Sequence, residues 1–328
     1  MKEIRLGTIG SGVIVHSILD NVRITEGVRL EAVYSRSRER GEALAAEYGA
    51  QKVYTDMDAF LGDEEINVVY IATPNLLHHA QAKRALLAGK HVILEKPFCT
   101  RAEDARELVE IARDRNLMLI DAVPPSFGPN FAILRRELPK IGKLKLVMTN
   151  FSQYSSRYDK LLAGELPNIF NPAYGGGCLM DINFYNVYLN VALFGVPRTG
   201  VYYPNLFPGA ADTSGVAVLR YDGFVSQNAG AKDTWGENFV QIEGEKGYIY
   251  AAEGSAALTS IKVVTRDGEV VYDDQPNPDR WFYEVQVVTK LLLEENREEI
   301  MQRQDVMLGV ISLLEQMRKD AGILFPGE

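Results

Sequence analysis

The sequence predicts an α/β fold in two parts: a doubly wound parallel sheet, then an α/β domain with a large, mostly antiparallel open sheet. Three observations predict it. Short apolar runs of strand length alternate with helical stretches through the first 122 residues. The first of those runs ends in a Gly-x-Gly, with helical sequence directly after it. Beyond Val123-Pro124-Pro125 the pattern changes to strand-like runs separated by turn residues, several of them alternating apolar with polar. A chain of 328 residues suits two domains, and the change of pattern places them at 1–122 and 123–328.

The first strand is Ile4 to Ile9, and it runs into Gly10 and Gly12. A tight turn and a close approach of backbone to pyrophosphate both require a missing Cβ, and a helix starting at Val13 points its N-terminus at the phosphates. Gly10, Gly12 and Val13 are therefore candidate dinucleotide-binding residues, although Val15 stands where a third Gly or Ala is expected. The second strand, Val28 to Tyr34, should end in Asp or Glu if it binds the two ribose hydroxyls of NAD. It ends in Tyr34-Ser35-Arg36-Ser37-Arg38 instead. A hydroxyl and a guanidinium can hold a 2′-phosphate, so Ser35 and Arg36 favour NADP over NAD. The plainer alternative is a solvated basic start to the next helix, capped by Ser37 and closed at Gly49.

Ile66 to Ala72 is a near-continuous apolar run, as in a parallel strand covered on both faces; it breaks at Thr73-Pro74-Asn75, with His78 one helical turn further on. A helix from about Leu76 to Leu87 closes at Gly89. The next strand, from His91, runs into Glu95-Lys96-Pro97, and proline stops it and holds Lys96 extended. A lysine then stands at the carboxyl end of a central strand, where open α/β sheets bind ligands; the plainer alternative is a lysine that only salt-bridges at a strand end. Thr100 with Glu103 makes a capping box for a helix from Arg101 to Asn116, Leu117 to Ile120 is a further strand, and Val123-Pro124-Pro125 reads as a hinge.

In the second half the expected strands are Leu144 to Asn150 continuing through Tyr154, then Thr199–Tyr203, Ser214–Tyr221, Val225–Gly230, Asn238–Glu243, Tyr248–Ala251, Ile261–Thr265 and Glu269–Tyr272. Two helices, about Arg280–Asn296 and Asp305–Asp320, follow. One helix stands apart. Gly175-Gly176-Gly177 leads into a run from Cys178 to Phe194 that is apolar enough to be largely buried, yet it carries Asp181 and Tyr185 four residues apart on one face. A buried carboxylate is costly unless paired, so the two read either as a structural pair or as polar groups presented to a substrate. Tyr154 and Arg157, leaving the first long strand, could roof a substrate or simply be a solvated strand end, and Trp235 and Trp281 read as core or interface residues.

Composition narrows the partners. A formal net charge of −9 argues against nucleic acid and against anionic membrane surfaces. No apolar run reaches the ~18–20 residues that span a bilayer, and the opening MKEIRLGTIG is unlike a signal peptide. Cys99 and Cys178 form no CxxC pair, and the four histidines show no metal spacing. The expectation is a cytoplasmic protein that holds no metal.

Taken together, GTIGSG (7–12), ATPNLLH (72–78), AGKHVILEKP (88–97) and GGGCLMD (175–181) resemble the Gfo/Idh/MocA family of nicotinamide-dependent oxidoreductases over essentially the whole chain. The resemblance implies a Rossmann domain followed by an α/β domain whose open sheet mediates homodimer or homotetramer contacts. It implies a sugar-like or cyclic polyol substrate oxidised or reduced at a carbon–oxygen bond. It also implies that Gly10, Gly12, Ser35, Arg36, Thr73, Asn75, His78 and Glu95 line the cofactor, with Lys96 beside the nicotinamide. Asp181 matches the family's aspartate, but Tyr185 stands where most members carry an acid/base histidine, Asn183 where a glycine is common, and Ser126 where an arginine is common. Members resembling dimeric dihydrodiol dehydrogenase and glucose–fructose oxidoreductase carry tyrosine in this spacing. A phenol is a poor base at neutral pH until a neighbouring cation favours its phenolate, a task that falls to Lys96. A cofactor-binding regulator without turnover is the alternative on the same fold.

Overall fold

The computed structural model describes residues 1–273 and 275–328. In chain order the first part holds β1 (Ile4–Ile9), α1 (Val13–Val22), β2 (Val28–Tyr34), α2 (Arg38–Tyr48), β3 (Lys52–Tyr54), α3 (Met57–Gly62), β4 (Val68–Ile71), α4 (His78–Leu87), β5 (His91–Glu95), α5 (Ala102–Asp114) and β6 (Leu119–Ala122). Its sheet has the order β3-β2-β1-β4-β5-β6 with every pair parallel. The order reverses direction beside β1, the switch point at which such sheets bind dinucleotides. Because β1, β2, β4 and β5 are parallel neighbours, the segments after them emerge along one edge: Gly10–Gly12, Ser35–Arg36, Thr73-Pro74-Asn75 and Lys96. Four segments scattered between Gly10 and Lys96 thus emerge on one sheet edge.

The second part holds α6 (Pro129–Glu137), β7 (Leu144–Ser152), α7 (Tyr158–Leu162), α8 (Cys178–Asp181), α9 (Asn183–Phe194), β8 (Thr199–Leu206), β9 (Asp212–Arg220), β10 (Val225–Ala231), β11 (Phe239–Gly244), β12 (Gly247–Ala252), β13 (Ile261–Thr265) and β14 (Gly268–Tyr272), then α10 (Arg280–Leu293) and α11 (Arg297–Asp320). Its eight strands lie in the order β14-β13-β12-β11-β7-β10-β9-β8, antiparallel except for β7 with β10. One face is apolar: Val147, Val240, Ile242, Ile249, Ala251, Ile261 and Val263 pack with Leu134 and Leu189 in a buried core. Each fully buried Val, Leu or Ile side chain of such a core is worth roughly 1.5–3 kcal/mol. The other face leaves Val201 and Tyr203 of β8 and Val225 of β10 exposed.

The chain forms two compact units, Met1–Val123 with Trp281–Leu308, and Pro124–Arg280 with Gly309–Glu328. The chain passes from the first unit to the second between Val123 and Pro124. The return of Trp281–Leu308 to the first unit has no counterpart in a single cut at 122/123, because α10 is amphipathic in an ordinary way and nothing local says which apolar surface it covers. In the first unit Val285, Val288 and Leu292 of α10 line a small cavity with Ile4, Leu6 and Tyr70.

Several elements differ from expectation. β3 and α3 lie between the second and third expected strands, and α6 follows the proline pair, all three too short for a strong periodic signal. The N-cap of α5 is Arg101 and not Thr100; its side chain makes no capping bond and instead pairs with Glu103 at 3.0 Å. The single helix expected from Cys178 to Phe194 is broken at Ile182 into α8 and α9. Among the described residues no helix is long and apolar enough to cross a membrane.

Candidate active site

In the first unit Gly10 turns the chain at φ +122°, and a Cβ there would lie 2.5 Å from the Ala72 carbonyl oxygen. Only glycine allows β1 to pass the end of β4 this closely. Gly12 is the N-cap of α1 and offers no side-chain cap; a Cβ on it would meet nothing within 4 Å, and the first turn carries no acidic residue. Unsatisfied backbone N–H groups at the start of a ten-residue helix, opening on clear space, suit an anion. Val13 begins that helix 82% exposed. At the end of β2, Ser35 is buried, its hydroxyl accepting from Ser37 N–H at 3.3 Å, while Arg36 is exposed. Arg38 pairs with Glu42 at 3.3 Å, and Ser37 caps α2 as expected.

The segments after β4 and β5 are tied together. The ring nitrogens of His78 lie 2.9 Å from the Pro97 carbonyl oxygen and 2.8 Å from that of Thr73. Burial pushes the pKa of His78 down. Its ring is 1% exposed and faces those two carbonyls, so it acts as a strut between the segments. Thr73 Oγ1 donates to Gln81 at 2.6 Å, and Asn75 opens a 3₁₀ turn. The Glu95 carboxylate accepts from Tyr70 Oη at 2.6 Å and from the Lys96 backbone N–H at 3.2 Å. Glu95 is thereby held in the sheet, and Lys96, half-buried, follows it at the edge.

In the second unit the glycine loop has a physical cause that the sequence does not reveal. Asp212, at the start of β9, is 1% exposed; its carboxylate accepts from the Leu179 backbone N–H at 2.7 Å and from Tyr202 Oη at 2.6 Å. Burial raises the pKa of Asp212 even against those donors, and raises that of Tyr202 as well. Gly177 lies at φ +132°, and a Cβ on it would sit 2.3 Å from Asp212 Oδ1. The carboxylate fills the space beside the loop and pins the start of α8.

Asp181, the last residue of α8, pairs with Lys232 just beyond β10. The side chain of Lys232 is 3% exposed and that of Asp181 35%. The Lys232 ammonium also lies 5.3 Å from the centre of the Phe170 ring. Tyr185, 8% exposed on α9, meets Phe151 and Phe184 edge-on, and the Arg280 guanidinium is 6.0 Å from its ring centre. The face of α9 turned to the sheet is polar at three positions spaced for one side: Asn183, Asn186 and Asn190, all fully buried. Asn183 Nδ2 donates to Asn228 O at 3.1 Å, Asn186 Nδ2 to Ala229 O at 2.8 Å, and Asn190 Nδ2 to Asn228 Oδ1 at 2.7 Å. These bonds fix the helix on β10 in rotation and register, and with it Tyr185.

Tyr154 is half-buried, stacks on Trp235 with ring centres 4.1 Å apart, and donates its hydroxyl to Asp159 at 2.6 Å; Arg157 is exposed. Trp235 is 75% exposed, so of the two readings given for it, core or interface, the core one fails, because the turn after β10 carries it out over Tyr154. Sequence reasoning missed Lys232, Asp212 and Arg280. Nothing marks them locally; each is brought in by strand pairing or by a distant segment. Cys99 and Cys178 are buried free thiols whose pKa values burial pushes up, and among the described residues no group of three or more His, Cys, Asp or Glu is placed to hold a metal ion.

Comparison with known proteins identifies the family of both parts of the chain. Residues 4–122 match the model of an oxidoreductase family with an NAD-binding Rossmann fold, and residues 138–250 that of the GFO/IDH/MocA C-terminal domain. The chain is 32% identical over 326 residues to the scyllo-inositol 2-dehydrogenase (NADP(+)) IolU of Bacillus subtilis, covering 99% of both chains. It is 26% identical to trans-1,2-dihydrobenzene-1,2-diol dehydrogenase of Sus scrofa over 341 residues, covering 98% of both. Among solved structures, the 3-ketoreductase KijD10 from Actinomadura kijaniata, in complex with NADP and TDP-benzene, shares the fold with a TM-score of 0.83 at 22% identity, covering 97% of both chains. With both halves matched and a relative above 30% identity spanning its length, the chain belongs to the GFO/IDH/MocA family of oxidoreductases.

Proposed function

We propose that the protein moves hydride between a nicotinamide, NADP in preference to NAD, and a C–OH or C=O group of a sugar-like or cyclic polyol, with Tyr185 as acid/base and Lys96 assisting it. The observation that carries this reading is the position of Lys96 on the same sheet edge as the Gly10–Gly12 cradle. The cradle fits the cofactor: Gly10, Gly12 and the start of α1 at Val13 would hold the pyrophosphate. Ser35 and Arg36 would hold a 2′-phosphate, since no carboxylate at the end of β2 repels one. Thr73 and Asn75 would border the nicotinamide end, with His78 and Glu95 supporting the two segments from behind. That IolU is an NADP-dependent inositol dehydrogenase supports both the cofactor preference and the substrate class.

A bound nicotinamide would accept or deliver the hydride. The proton is the protein's task. In oxidation Tyr185 Oη takes the proton of the substrate hydroxyl as the carbon–oxygen bond becomes a carbonyl; in reduction it returns one. The Lys96 ammonium stabilises charge on that oxygen and favours phenolate at Tyr185. The Asp181 carboxylate accepts from a substrate hydroxyl, and Tyr154 and Arg157 lie over the substrate. The exposed side chains Val201, Tyr203 and Val225 are the surface a second copy would cover in a homodimer or homotetramer.

The test is steady-state and single-turnover kinetics of Tyr185→Phe and Lys96→Met on a panel of inositols and sugars with NADP. General acid–base catalysis is worth roughly 10²–10⁴-fold, so each variant should lose that much in the chemical step. Full turnover in Tyr185→Phe would remove tyrosine from the mechanism. A wild-type protein that binds NADP but turns over nothing in the panel would favour a regulator.

A further inference from the structure

We propose that Lys232 is a positioning residue for substrate binding: it holds the Asp181 carboxylate in place for a substrate hydroxyl. This rests on the reading of Asp181 and Tyr185 as substrate-facing groups. No sequence motif marks Lys232.

The ammonium of Lys232 is almost wholly buried and ion-paired to a carboxylate that keeps about a third of its surface exposed. That asymmetry is informative. A lysine recruited only for stability would more cheaply reach solvent, since taking an ammonium out of water is costly before any pairing is counted. Here the cation is the buried support and the anion the part left reachable. The other acids around Lys232 have their own donors. Asp212 accepts from Leu179 N–H and Tyr202 Oη, and Asp233 Oδ2 accepts from Thr213 Oγ1 at 2.7 Å and Ser214 Oγ at 3.0 Å. Cys178, the remaining titratable group of this cluster, is a buried thiol held neutral. The direct charge partner of Lys232 is Asp181.

The backbone explains why the lysine can set a position. Lys232 continues β10: its N–H donates to Thr213 O at 2.8 Å, and its carbonyl accepts from Ser155 N–H at 2.9 Å. The same strand receives the Asn183, Asn186 and Asn190 side chains of α9 at Asn228 and Ala229. Asp181 and Tyr185 are separated by the helix break at Ile182, so helix geometry alone does not fix their spacing. Both are referred to β10 instead, Tyr185 through the asparagines and Asp181 through Lys232.

The experiment compares Lys232→Met, Asp181→Asn and the double variant by kcat and KM, with NADP affinity measured separately by fluorescence titration. Lys232→Met should raise KM about 10- to 100-fold with a smaller change in kcat, since a displaced binding group costs on that scale. NADP affinity should be unchanged, because the cofactor residues lie in the other unit. If Lys232 acts through Asp181, adding Lys232→Met to Asp181→Asn should cost less than about 2-fold further. Wild-type kinetics in Lys232→Met, or losses that multiply in the double variant, would overturn the proposal. Should Lys232→Met not fold, Asp181→Asn against the double variant decides alone by the same criterion. Failure of the functional reading looks different: the wild type itself would then turn over no sugar or polyol.

Discussion

Glu328→Gln should destabilise the second unit by about 3 kcal/mol at neutral pH. Arg318, in the half of α11 that belongs to this unit, has a side chain with no exposure to solvent. Its guanidinium meets Glu328 through two bonds, Nη1 to Oε2 at 2.5 Å and Nη2 to Oε1 at 2.6 Å, and Nη1 also donates to Ile323 O at 2.7 Å. The guanidinium lies 4.0 Å from the Phe325 ring centre, and Phe325 N–H donates to Glu328 Oε2 at 2.9 Å. Burial by itself would raise the Glu328 pKa. The bonds from Arg318 and Phe325 and the charges of Arg318 and Lys319 outweigh it and hold the carboxyl at about 2. Against an unfolded value of roughly 4.3, that depression is worth about 3 kcal/mol. Breaking a buried ion pair from one side costs a similar ~3–5 kcal/mol. Because the folded pKa is the lower one, this stabilisation is complete above about pH 4.5 and is lost as the pH falls towards 2. Native-state hydrogen exchange of the amides at 309–320 reads it locally, and urea denaturation between pH 7 and pH 3 reads its pH dependence. A Glu328→Gln protein within 1 kcal/mol of wild type at pH 7 would refute the argument, as would an acid dependence over that range unchanged by the substitution.

Two further outcomes concern the cofactor edge. Gly10→Ala should weaken NADP binding at least ~10-fold and lower Tm, because its Cβ meets the Ala72 carbonyl at 2.5 Å and its φ of +122° strains any L residue; calorimetric titration showing wild-type affinity would contradict this. Arg36→Ala should raise KM for NADP by about 10- to 100-fold while leaving NAD nearly unchanged, the worth of a charge-assisted bond to phosphate, and equal losses with both cofactors would contradict a 2′-phosphate contact.

The sheet of the first unit was legible, β3 apart, because its parallel strands are short apolar runs followed by breakers. β3 escaped notice because Lys52, Val53 and Tyr54 carry too few residues to show a period. In the second unit the strands were legible from alternation and from the turn residues between them. Their order was not, since β7 pairs with β10 and β11 and not with its sequence neighbour. Lys96, Asp181 and Tyr185 could be named in advance because motifs carry them. Lys232 and Asp212 could not, because what makes them important is a pairing across 51 and 33 residues. Long-range pairing leaves no trace in local composition.

The departures of this chain from its family's common pattern are not independent of one another. Asn183 stands where a glycine is common, and a larger residue on a helix that lies against a strand must find room. It finds it at Gly230: a Cβ on that residue would sit 2.8 Å from Asn183 Cβ. The close approach of α9 to β10 is thus kept, with the glycine on the strand and the larger side chain on the helix. The carboxamide then does what a glycine cannot, bonding Asn228 O and accepting from Asn186 Nδ2 at 2.9 Å, and so joins the stripe that fixes the rotation of α9. In the role proposed for Tyr185, rotation would matter more for tyrosine than for histidine. A phenol acts through one oxygen at the far end of a long, rigid side chain, so a small turn of the helix swings that oxygen further than it would an imidazole nitrogen. The same side chain that departs from the pattern at 183 therefore supplies rigidity that the role proposed for Tyr185 would require.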